Sequence, residues 1–274
     1  MRLSDAQVAE FDERGYLFFP SLFSPQEVAV LRRALPAILS RDGPEVVREE
    51  ADPRQVKLVF GLHELDESFR RLSLHPRLLV PAEQLLRSPV HIYQARLNPK
   101  TGFSGGGWGW HQDFNQWHRH DGMQRPHALM VALFLDEVNA CNAPLMVIPG
   151  SHRRGHILVP DAMEIGLDIV RELVDEGGIE ALMGAAGSVA FMHCITVHGS
   201  TSNLSPWPRC LFYLNYNSVD NTAIARRRAP FHCGTDFTPL QPLADDCLTA
   251  PGPLPPASAG APRGGASPAA PSPG

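Results

Sequence analysis

The sequence predicts a mainly β fold, an antiparallel double-sheet barrel with helices on its N-terminal side. Helical patterns dominate the first third of the chain, and runs with strand character, joined by short turns, dominate the later part. A βαβ fold would instead alternate strands with helices. A length of 274 residues and a hydrophobic content of 43% suit one domain with a large core.

The predicted helices carry start and stop signals. Ser4 begins a capping box, and Gly15 suits the end of that helix. Ser24 is a good N-cap for a second helix, because proline follows at the first helical position. Further helical patterns cover residues 67–86, broken before Pro76, and residues 161–183.

The predicted strands are short apolar or alternating runs. Residues 128–135 form a continuous apolar run, which is typical of a strand buried on both faces. Alternation within residues 89–97 places Val90, Ile92, Gln94 and Arg96 on one face, so this face carries polar groups into a possible cavity. Residues 41–55 are charged and are predicted as loop. The other predicted strands cover residues 16–20, 57–60, part of 142–152, 188–197 and 210–218.

The C-terminal segment has a biased composition. From Pro251 onward, 22 of 24 residues are proline, glycine, alanine or serine. Such a segment buries too little apolar surface to offset its ordering entropy. The sequence therefore predicts a single folded domain over residues 1–250 and a disordered tail over residues 251–274.

Charge and cysteine content exclude several classes of protein. The net charge of −5 gives no basic field for nucleic acid, and the cluster Arg226-Arg227-Arg228 is interpreted as a solvated turn. Five cysteines without a CxxC motif indicate free thiols in a reducing compartment. The N-terminus lacks a signal-peptide pattern, and no apolar run approaches transmembrane length. These features predict a cytoplasmic protein that binds neither nucleic acid nor membrane.

The segment Trp110-His-Gln-Asp113 is a candidate metal site. If it is a strand, His111 and Asp113 point to the same side, because side chains alternate along a strand. His198, which follows the apolar run 188–197, is the candidate third ligand. Two histidines and one carboxylate form a facial triad that suits non-haem Fe(II) and leaves coordination positions open.

Arg209 strengthens this interpretation. It follows His198 by eleven positions and starts a predicted strand. A guanidinium offers a planar fork for one end of a dicarboxylate cosubstrate that chelates iron through its other end.

Other polar and aromatic positions have less specific interpretations. An aspartate beside a histidine often caps a turn instead of binding metal. A zinc site with His193 and Cys194 matches no closed structural set. The glycine-rich stretch Gly102–Gly109 suits either a lid or a hinge. We expect His118 and His120 to face solvent, His152 to stabilise its own turn, and Trp108, Trp110, Met130 and Met146 to lie in the core.

Several segments, in order between residues 17 and 248, form a recognisable set. They are Gln94-Ala-Arg-Leu-Asn98, Trp110 to Phe114, Trp117, Asp121-Gly-Met123, Gly150-Ser-His152, Gly187-Ser188, His198 to Arg209 and Tyr216-Asn217. This set resembles the phytanoyl-CoA dioxygenase superfamily of Fe(II)/2-oxoglutarate-dependent oxygenases. The resemblance implies a jelly-roll (double-stranded β-helix, cupin-like) core with flanking N-terminal helices. It also implies the cofactors Fe(II), 2-oxoglutarate and O2, with ascorbate helpful in vitro.

The same resemblance implies roles for individual residues. His111, Asp113 and His198 would bind iron, Arg209 would pair with the distal carboxylate of 2-oxoglutarate, and Ser200 would assist it. A carboxylate at Asp113 favours hydroxylation, since related halogenases have a small residue there. The resemblance further implies that Asn98 and Gln94 contact the cofactor and that Trp117, Gln94 and Met192 contact the substrate. Arg96 is a hypothetical binding residue for a substrate carboxylate, because it shares a predicted strand face with Gln94.

The expected substrate is a small amino acid. Two branches look similar, free-L-proline 4-hydroxylases and ectoine hydroxylases, and Met192 stands near the position where the latter have an aromatic residue. The segments Trp108-Gly-Trp110, Arg125-Pro-His127 and 236–243 favour the proline branch. Two alternatives stay open: a hydroxylase of a natural-product or carrier-tethered intermediate, and an inactive jelly-roll binding protein.

Overall fold

The computed structural model describes residues 1–159, 162–225, 228–250 and Gly252. Apart from Gly252, the predicted tail lies outside the described residues, so the domain boundary at residue 250 stays a prediction. The helices are α1 (Asp5–Arg14), α2 (Pro25–Leu39), α3 (Leu62–Leu65), α4 (Glu67–Ser73), α5 (Pro76–Leu86), α6 (Asp113–Gln116) and α7 (Leu167–Gly177). The strands are β1 (Tyr16–Phe19), β2 (Val46–Arg48), β3 (Val56–Phe60), β4 (Val90–Lys100), β5 (Trp108–His111), β6 (Ala128–Phe134), β7 (Leu145–Val147), β8 (Glu180–Leu182), β9 (Val189–His193), β10 (His198–Ser200) and β11 (Arg209–Ser218).

The strands form two antiparallel sheets. The larger sheet has seven strands in the order β1-β9-β6-β11-β4-β3-β2, and the smaller has four in the order β5-β10-β7-β8. Sequence neighbours are often separated in these sheets, which is typical of two sheets joined by crossing connections. The predicted mainly β double-sheet fold is therefore confirmed.

The helix signals act as predicted. Ser4 caps α1 through a capping box, and Gly15 ends it in the left-handed conformation, with a φ of 77°. Ser24 forms the same kind of box at α2. The break before Pro76 separates α4 from α5, with His75 as the N-cap of α5.

Two short strands were missed because their patterns are too short to stand out. β2 lies within residues 41–55, which were predicted as loop, and it pairs with β3. β8 lies within the predicted helix 161–183, whose described part, residues 162–183, is helical only over α7, and β8 pairs with β7. In both cases pairing with a neighbouring strand overrides a weak local preference.

Of the four apolar clusters among the described residues, two join the layers of the fold. One packs the helices against the large sheet and includes Phe69, Leu79 and Phe212, all with no exposed surface. The other, which includes Phe134 and Leu145, joins the large sheet to β7 and β8. Every residue of β6 is buried, as its continuous apolar run predicts.

A β-bulge in β4 changes which of its side chains share a face of the sheet. Gln94 pairs with Asn215 and Ile92 pairs with Tyr216, so Tyr93 has no partner opposite it in β11. An extra residue reverses the alternation. Val90 and Ile92 consequently pack into the helix-side core, while Gln94 lines a cavity on the other side of the sheet. The prediction that Val90 and Ile92 share a face with Gln94 and Arg96 was wrong.

All five cysteines are free thiols, in agreement with the sequence. Among the described residues, no helix combines the length and the apolar character needed to cross a membrane.

Candidate metal centre and its cavity

Three predicted ligands come together on the smaller sheet. His111, Asp113 and His198 are buried, and each offers one ligand atom within 4.8 Å of the other two. His111 of β5 and His198 of β10 are direct cross-strand partners, and their ring centroids lie 4.2 Å apart. Cross-strand pairing of neighbouring strands therefore brings together residues that are far apart in sequence.

Asp113 reaches the site by a different route from the one predicted. β5 ends at His111, and Asp113 is the first residue of α6, so strand alternation does not explain its direction. The connecting residue, Gln112, fixes the turn because its side chain donates to the carbonyls of Gly155 and Ile195. The amide of Ile157 donates to the same side chain. A strand-to-helix turn, held by Gln112, directs the carboxylate toward the histidines.

Hydrogen bonds orient both imidazoles for metal binding. Nδ1 of His111 lies 2.7 Å from the carbonyl oxygen of Gly109, and Nδ1 of His198 lies 2.9 Å from that of Thr196. A carbonyl only accepts, so each Nδ1 carries the hydrogen and each Nε2 keeps its lone pair. Burial lowers the pKa of His198 to about 3, with the neighbouring His111 as a further cause. His198 is therefore neutral at physiological pH, as a metal ligand must be.

Arg96 engages the free side of Asp113. The Oδ1 atom of Asp113 lies 3.6 Å from Nε2 of His111, whereas Oδ2 accepts a hydrogen bond of 2.7 Å from Arg96. Burial raises the pKa of Asp113, but the Arg96 guanidinium and the neighbouring histidines outweigh it and leave the pKa well below its usual range. Asp113 is thus ionised, with Oδ1 directed at the metal position. The guanidinium of Arg96 also donates to Gln94, so most of it is committed within the protein.

The three residues border a cavity of about 180 Å³. Trp117 forms part of its wall, together with Tyr213, and its contact with substrate stays a prediction. Trp108 also lines it, although a core position was expected for this residue. Met192 does not line the cavity, because its fully buried side chain packs in the core between the sheets.

Arg209 lies fully buried at the start of β11. Its Nε donates to the carbonyl of Ala143 and its Nη1 donates to Oδ1 of Asn98, both at 2.9 Å. Nη2 is buried and has no hydrogen-bond partner among the residues that the structure describes. A buried guanidinium with an open donor fits a carboxylate group, as a dicarboxylate cosubstrate would supply.

The other residues predicted to contact the cosubstrate are Ser200, Asn98 and Gln94. Ser200, at the end of β10, lines the cavity and accepts a hydrogen bond from Lys100, a residue that no sequence pattern singled out. Asn98 connects Arg209 to the backbone of Lys57, and Gln94 donates to the carbonyl of His232. Asn98 therefore holds Arg209 in place, and Gln94 joins a C-terminal segment to the cavity wall.

One interpretation of a charged cluster was wrong. Arg226 and Arg227 lie outside the described residues, but Arg228 lines the cavity and is not a solvated turn residue. Its guanidinium binds both carboxylate oxygens of Asp121, which is fully buried and also accepts from the hydroxyl of Tyr93. The isolated aspartate in a polar stretch gave no signal of this partner, which lies 107 positions away.

The remaining histidines lie outside the triad. His118 is exposed and His120 is half-buried. His152 binds the carbonyl of Asp12 in α1, not its own turn. Among the described residues, His193 and Cys194 belong to no cluster of three potential metal ligands.

Comparisons with known proteins find similar dioxygenases and hydroxylases. The sequence model of one family, phytanoyl-CoA dioxygenase (PhyH), matches residues 11–210. An ectoine dioxygenase from Bordetella bronchiseptica is 40% identical over 243 residues, which cover 80% of this chain and 77% of the relative. An L-proline trans-4-hydroxylase from Streptomyces griseoviridis is 36% identical over 264 residues, which cover 90% of this chain and 98% of the relative.

Solved structures extend the likeness to the fold. The crystal structure of EctD from S. alaskensis with bound Fe superposes with a TM-score of 0.80 at 34% identity, over 88% of this chain and 87% of that chain. EctD with 2-oxoglutarate and 5-hydroxyectoine gives a TM-score of 0.78 at 35% identity, over 88% and 86%. The jelly-roll prediction is thereby confirmed.

Proposed function

The chain belongs to the phytanoyl-CoA dioxygenase (PhyH) family, and on that premise we propose that it hydroxylates an unactivated C–H bond of a small, L-proline-like amino acid. It is an Fe(II)- and 2-oxoglutarate-dependent dioxygenase. The observation that carries the proposal is the pairing of a buried His-Asp-His cluster at the cavity with a buried arginine that has an open donor and is hydrogen-bonded to Asn98 of the cavity wall. The first group suits Fe(II), and the second suits the carboxylate of a dicarboxylic acid.

His111, Asp113 and His198 would hold the iron, through Nε2 of each histidine and Oδ1 of the aspartate. Arg209 would bind the distal carboxylate of 2-oxoglutarate with assistance from Ser200. When bound, Fe(II) and 2-oxoglutarate supply an oxidant generated from O2 as the cosubstrate is decarboxylated to succinate. The protein's residues fix both groups and limit access of water to the cavity.

The substrate would lie against Trp117, close to Gln94 and Arg96, which all line the cavity. Arg228 lines it too, so two guanidinium groups face the space available to a substrate carboxylate. Arg96 is also bound to Asp113, which limits the N–H groups it can offer to substrate. We therefore propose that Arg96 and Arg228 share the substrate carboxylate. The position of Met192 in the core gives no support for its predicted substrate contact.

Ectoine is the second candidate substrate. It is favoured by the 40% identity to the B. bronchiseptica ectoine dioxygenase and by the superposition on EctD. L-proline is favoured by the match to 98% of the length of the S. griseoviridis hydroxylase. Both are small zwitterions, so the same pair of guanidinium groups suits either. A carrier-tethered substrate and a cytoplasmic location stay predictions.

The test is succinate formation by purified protein with Fe(II), ascorbate and 2-oxoglutarate, across L-proline, L-pipecolate, ectoine and other free amino acids. We expect turnover that depends on one of the cyclic substrates and is lost in His111→Ala. Turnover with ectoine but not with L-proline would select the second candidate. Fe(II) and 2-oxoglutarate binding without turnover on any free amino acid would contradict the proposed substrate class. Binding of neither would favour an inactive binding protein.

A further inference from the structure

The turn that joins β9 to β10, residues 194–197, contacts each segment that carries a predicted metal ligand. Three successive backbone carbonyls of this turn take part. The carbonyl oxygen of Thr196 lies 2.9 Å from Nδ1 of His198. The carbonyl of Cys194 accepts a hydrogen bond of 3.2 Å from the backbone N–H of Phe114, in the first turn of α6. That N–H has no acceptor within its own helix, so the β9–β10 turn stabilises the start of α6.

The middle carbonyl of the turn, that of Ile195, holds the residue between the other two ligands. It accepts a buried hydrogen bond of 2.7 Å from the side chain of Gln112, which stands between His111 and Asp113 in the sequence. One turn of four residues therefore orients the ring of one ligand and the chain on either side of another. A displacement of this turn would disturb the whole ligand set.

The turn is anchored on the C-terminal end of α1. The carbonyl of Gly15, the residue that ends this helix, accepts from the backbone N–H of His193 at 2.9 Å and from the hydroxyl of Thr196 at 2.8 Å. Thr196 has no exposed surface. Its hydroxyl thus connects the turn to α1, while its carbonyl orients the imidazole of His198.

A second support of the turn reaches the same end of α1. The backbone N–H of Val197 donates to Oγ of Ser151 at 2.9 Å. Next to this serine, the backbone N–H of Gly150 donates to the carbonyl of Arg14, the last residue of α1, at 2.8 Å. The position of the turn therefore depends on this helix through two separate connections.

The contact at Gly15 is too close for a side chain. A Cβ on this residue would lie 2.7 Å from Oγ1 of Thr196 and 2.4 Å from Nδ1 of His152. The φ of Gly15 is 77°, a left-handed conformation that glycine adopts at low cost. Glycine at this position therefore both ends the helix and lets Thr196 approach its carbonyl.

We propose that Thr196 is a positioning residue for the metal centre, and that it acts through the C-terminal end of α1. Thr196 does not bind the metal in this arrangement. Its hydroxyl holds the turn against Gly15, and the turn carbonyls then orient His198 and the chain around Asp113. The N-terminal helix is thereby part of the support of the iron site. The inference rests on the proposed function, and it deepens the account of the same site.

The test is binding of Co(II) to the purified, metal-free protein, followed by the visible absorption of the bound ion. Co(II) accepts the same ligand types as Fe(II), and its absorption depends on the ligand geometry. In Thr196→Val, which removes the hydroxyl, we expect an altered spectrum and a Kd about 10-fold higher, as for other residues that orient a metal ligand. Thr196→Ser keeps the hydroxyl and should restore the spectrum and bring the Kd within about 3-fold of the wild type.

Ser73→Ala is the matched control for a general loss of stability. Ser73 also donates a buried hydroxyl to a backbone carbonyl, that of Phe69 within α4. This variant should keep the wild-type spectrum and a Kd within about 2-fold of the wild type. Equal changes in Thr196→Val and Ser73→Ala, or normal binding in Thr196→Val, would overturn the inference and leave the proposed function standing. Wild-type Co(II) binding that His111→Ala does not weaken would contradict the proposed metal site itself.

Two glycine variants test the helix end separately and cover the case in which Thr196→Val does not fold. Gly15→Ala places a methyl group against Thr196. Gly178 also follows a helix with a positive φ, 71°, but a Cβ there would meet no described atom within 4 Å. Both variants force alanine into an unfavourable backbone conformation. Only Gly15→Ala should raise the Kd of Co(II), by about 10-fold. Equal Co(II) affinities of the two variants would overturn the role of the α1 end.

Discussion

The two ends of the cavity differ in how their buried charges are balanced. At the metal end, Asp113 forms an ion pair of 2.7 Å with Arg96, and hydrogen bonds to backbone carbonyls keep the two histidines in one tautomer. At the other end, Arg209 and Lys100 are buried with neutral partners alone, among the residues that the structure describes. The buried charges at the metal end are balanced without a ligand, whereas those at the end with Arg209 and Lys100 are not.

This difference indicates how each end works. A balanced ion pair holds the metal ligands in position before metal arrives, which lowers the cost of reorganisation on binding. An unbalanced pair of cations disfavours the ligand-free fold and is relieved when an anion binds. The metal end therefore suits a resident ion, and the cationic end suits a cosubstrate that is consumed and replaced in each turnover.

The largest expected effect comes from removing a metal ligand. His111→Ala should weaken Fe(II) binding by more than about 100-fold, beyond the effect usual for residues that only support a ligand, and should abolish succinate formation. A metal titration followed by an activity assay measures both. His118→Ala is the matched control because His118 is exposed and lies outside the ligand cluster. Equal losses in the two variants would show that the triad is not the metal site.

Substitution of Arg209 tests the unbalanced end of the cavity, where the buried cations Arg209 and Lys100 have neutral partners. Arg209→Met should weaken 2-oxoglutarate binding by about 100-fold or more, since a buried charge-assisted contact is lost. The ligand-free protein should keep its unfolding free energy within about 1 kcal/mol, because relief of the buried charge offsets two lost hydrogen bonds. Calorimetric binding and chemical denaturation measure the two quantities. A large loss of stability with unchanged binding would mean that Arg209 is a structural residue.

Substitution of Arg96, unlike that of Arg209, should lower the unfolding free energy of the ligand-free protein. Arg96→Met leaves the Asp113 carboxylate buried without its ion pair, so we expect the ligand-free protein to lose about 3 kcal/mol of unfolding free energy. Fe(II) affinity should fall by about 10-fold to 100-fold, as for other residues that orient a metal ligand. Denaturation with and without Fe(II) separates the two effects.

The same variant decides between two roles of Arg96. A raised substrate KM with normal Fe(II) affinity would favour the substrate-carboxylate role predicted from the sequence. Weakened Fe(II) binding with an unchanged substrate KM would leave the carboxylate to Arg228. Arg96→Lys is the conservative control, since it keeps the charge but loses the planar fork.

The difference between the two ends also explains what the sequence could predict. The helix caps at Ser4 and Ser24 and the buried strand over residues 128–135 depend on local signals, and the structure agrees with them. The triad and Arg209 were selected because few residue types suit iron and a carboxylate, and the structure brings the three ligands together.

What the sequence missed depends on contacts between distant segments. The bulge at Tyr93 reverses the faces of β4 without any glycine or proline to mark it. Lys100 lies beyond the strand predicted over residues 89–97, and its burial requires the later glycine-rich stretch to fold over it. The pairing of Arg228 with Asp121 likewise joins two distant segments, although the arginine cluster was predicted as a solvated turn. Such partners become visible only when the tertiary structure is known.

The smallest expected effect is a pH dependence of stability at the unbalanced end. The pKa of Lys100 is about 7 in the fold and near the usual lysine value of 10.5 when unfolded, so between these values the unfolded chain binds more protons. Raising the pH through this window therefore stabilises the fold at this residue. We expect the unfolding free energy of the wild type, relative to Lys100→Met, to rise between pH 7 and pH 9. Saturating Fe(II) and 2-oxoglutarate without oxygen should reduce this trend, because the bound carboxylate restores the pKa of Lys100 toward its usual value. A relative stability that falls over this range would show that Lys100 is charged and paired in the ligand-free protein, and the contrast between the two ends of the cavity would then not hold.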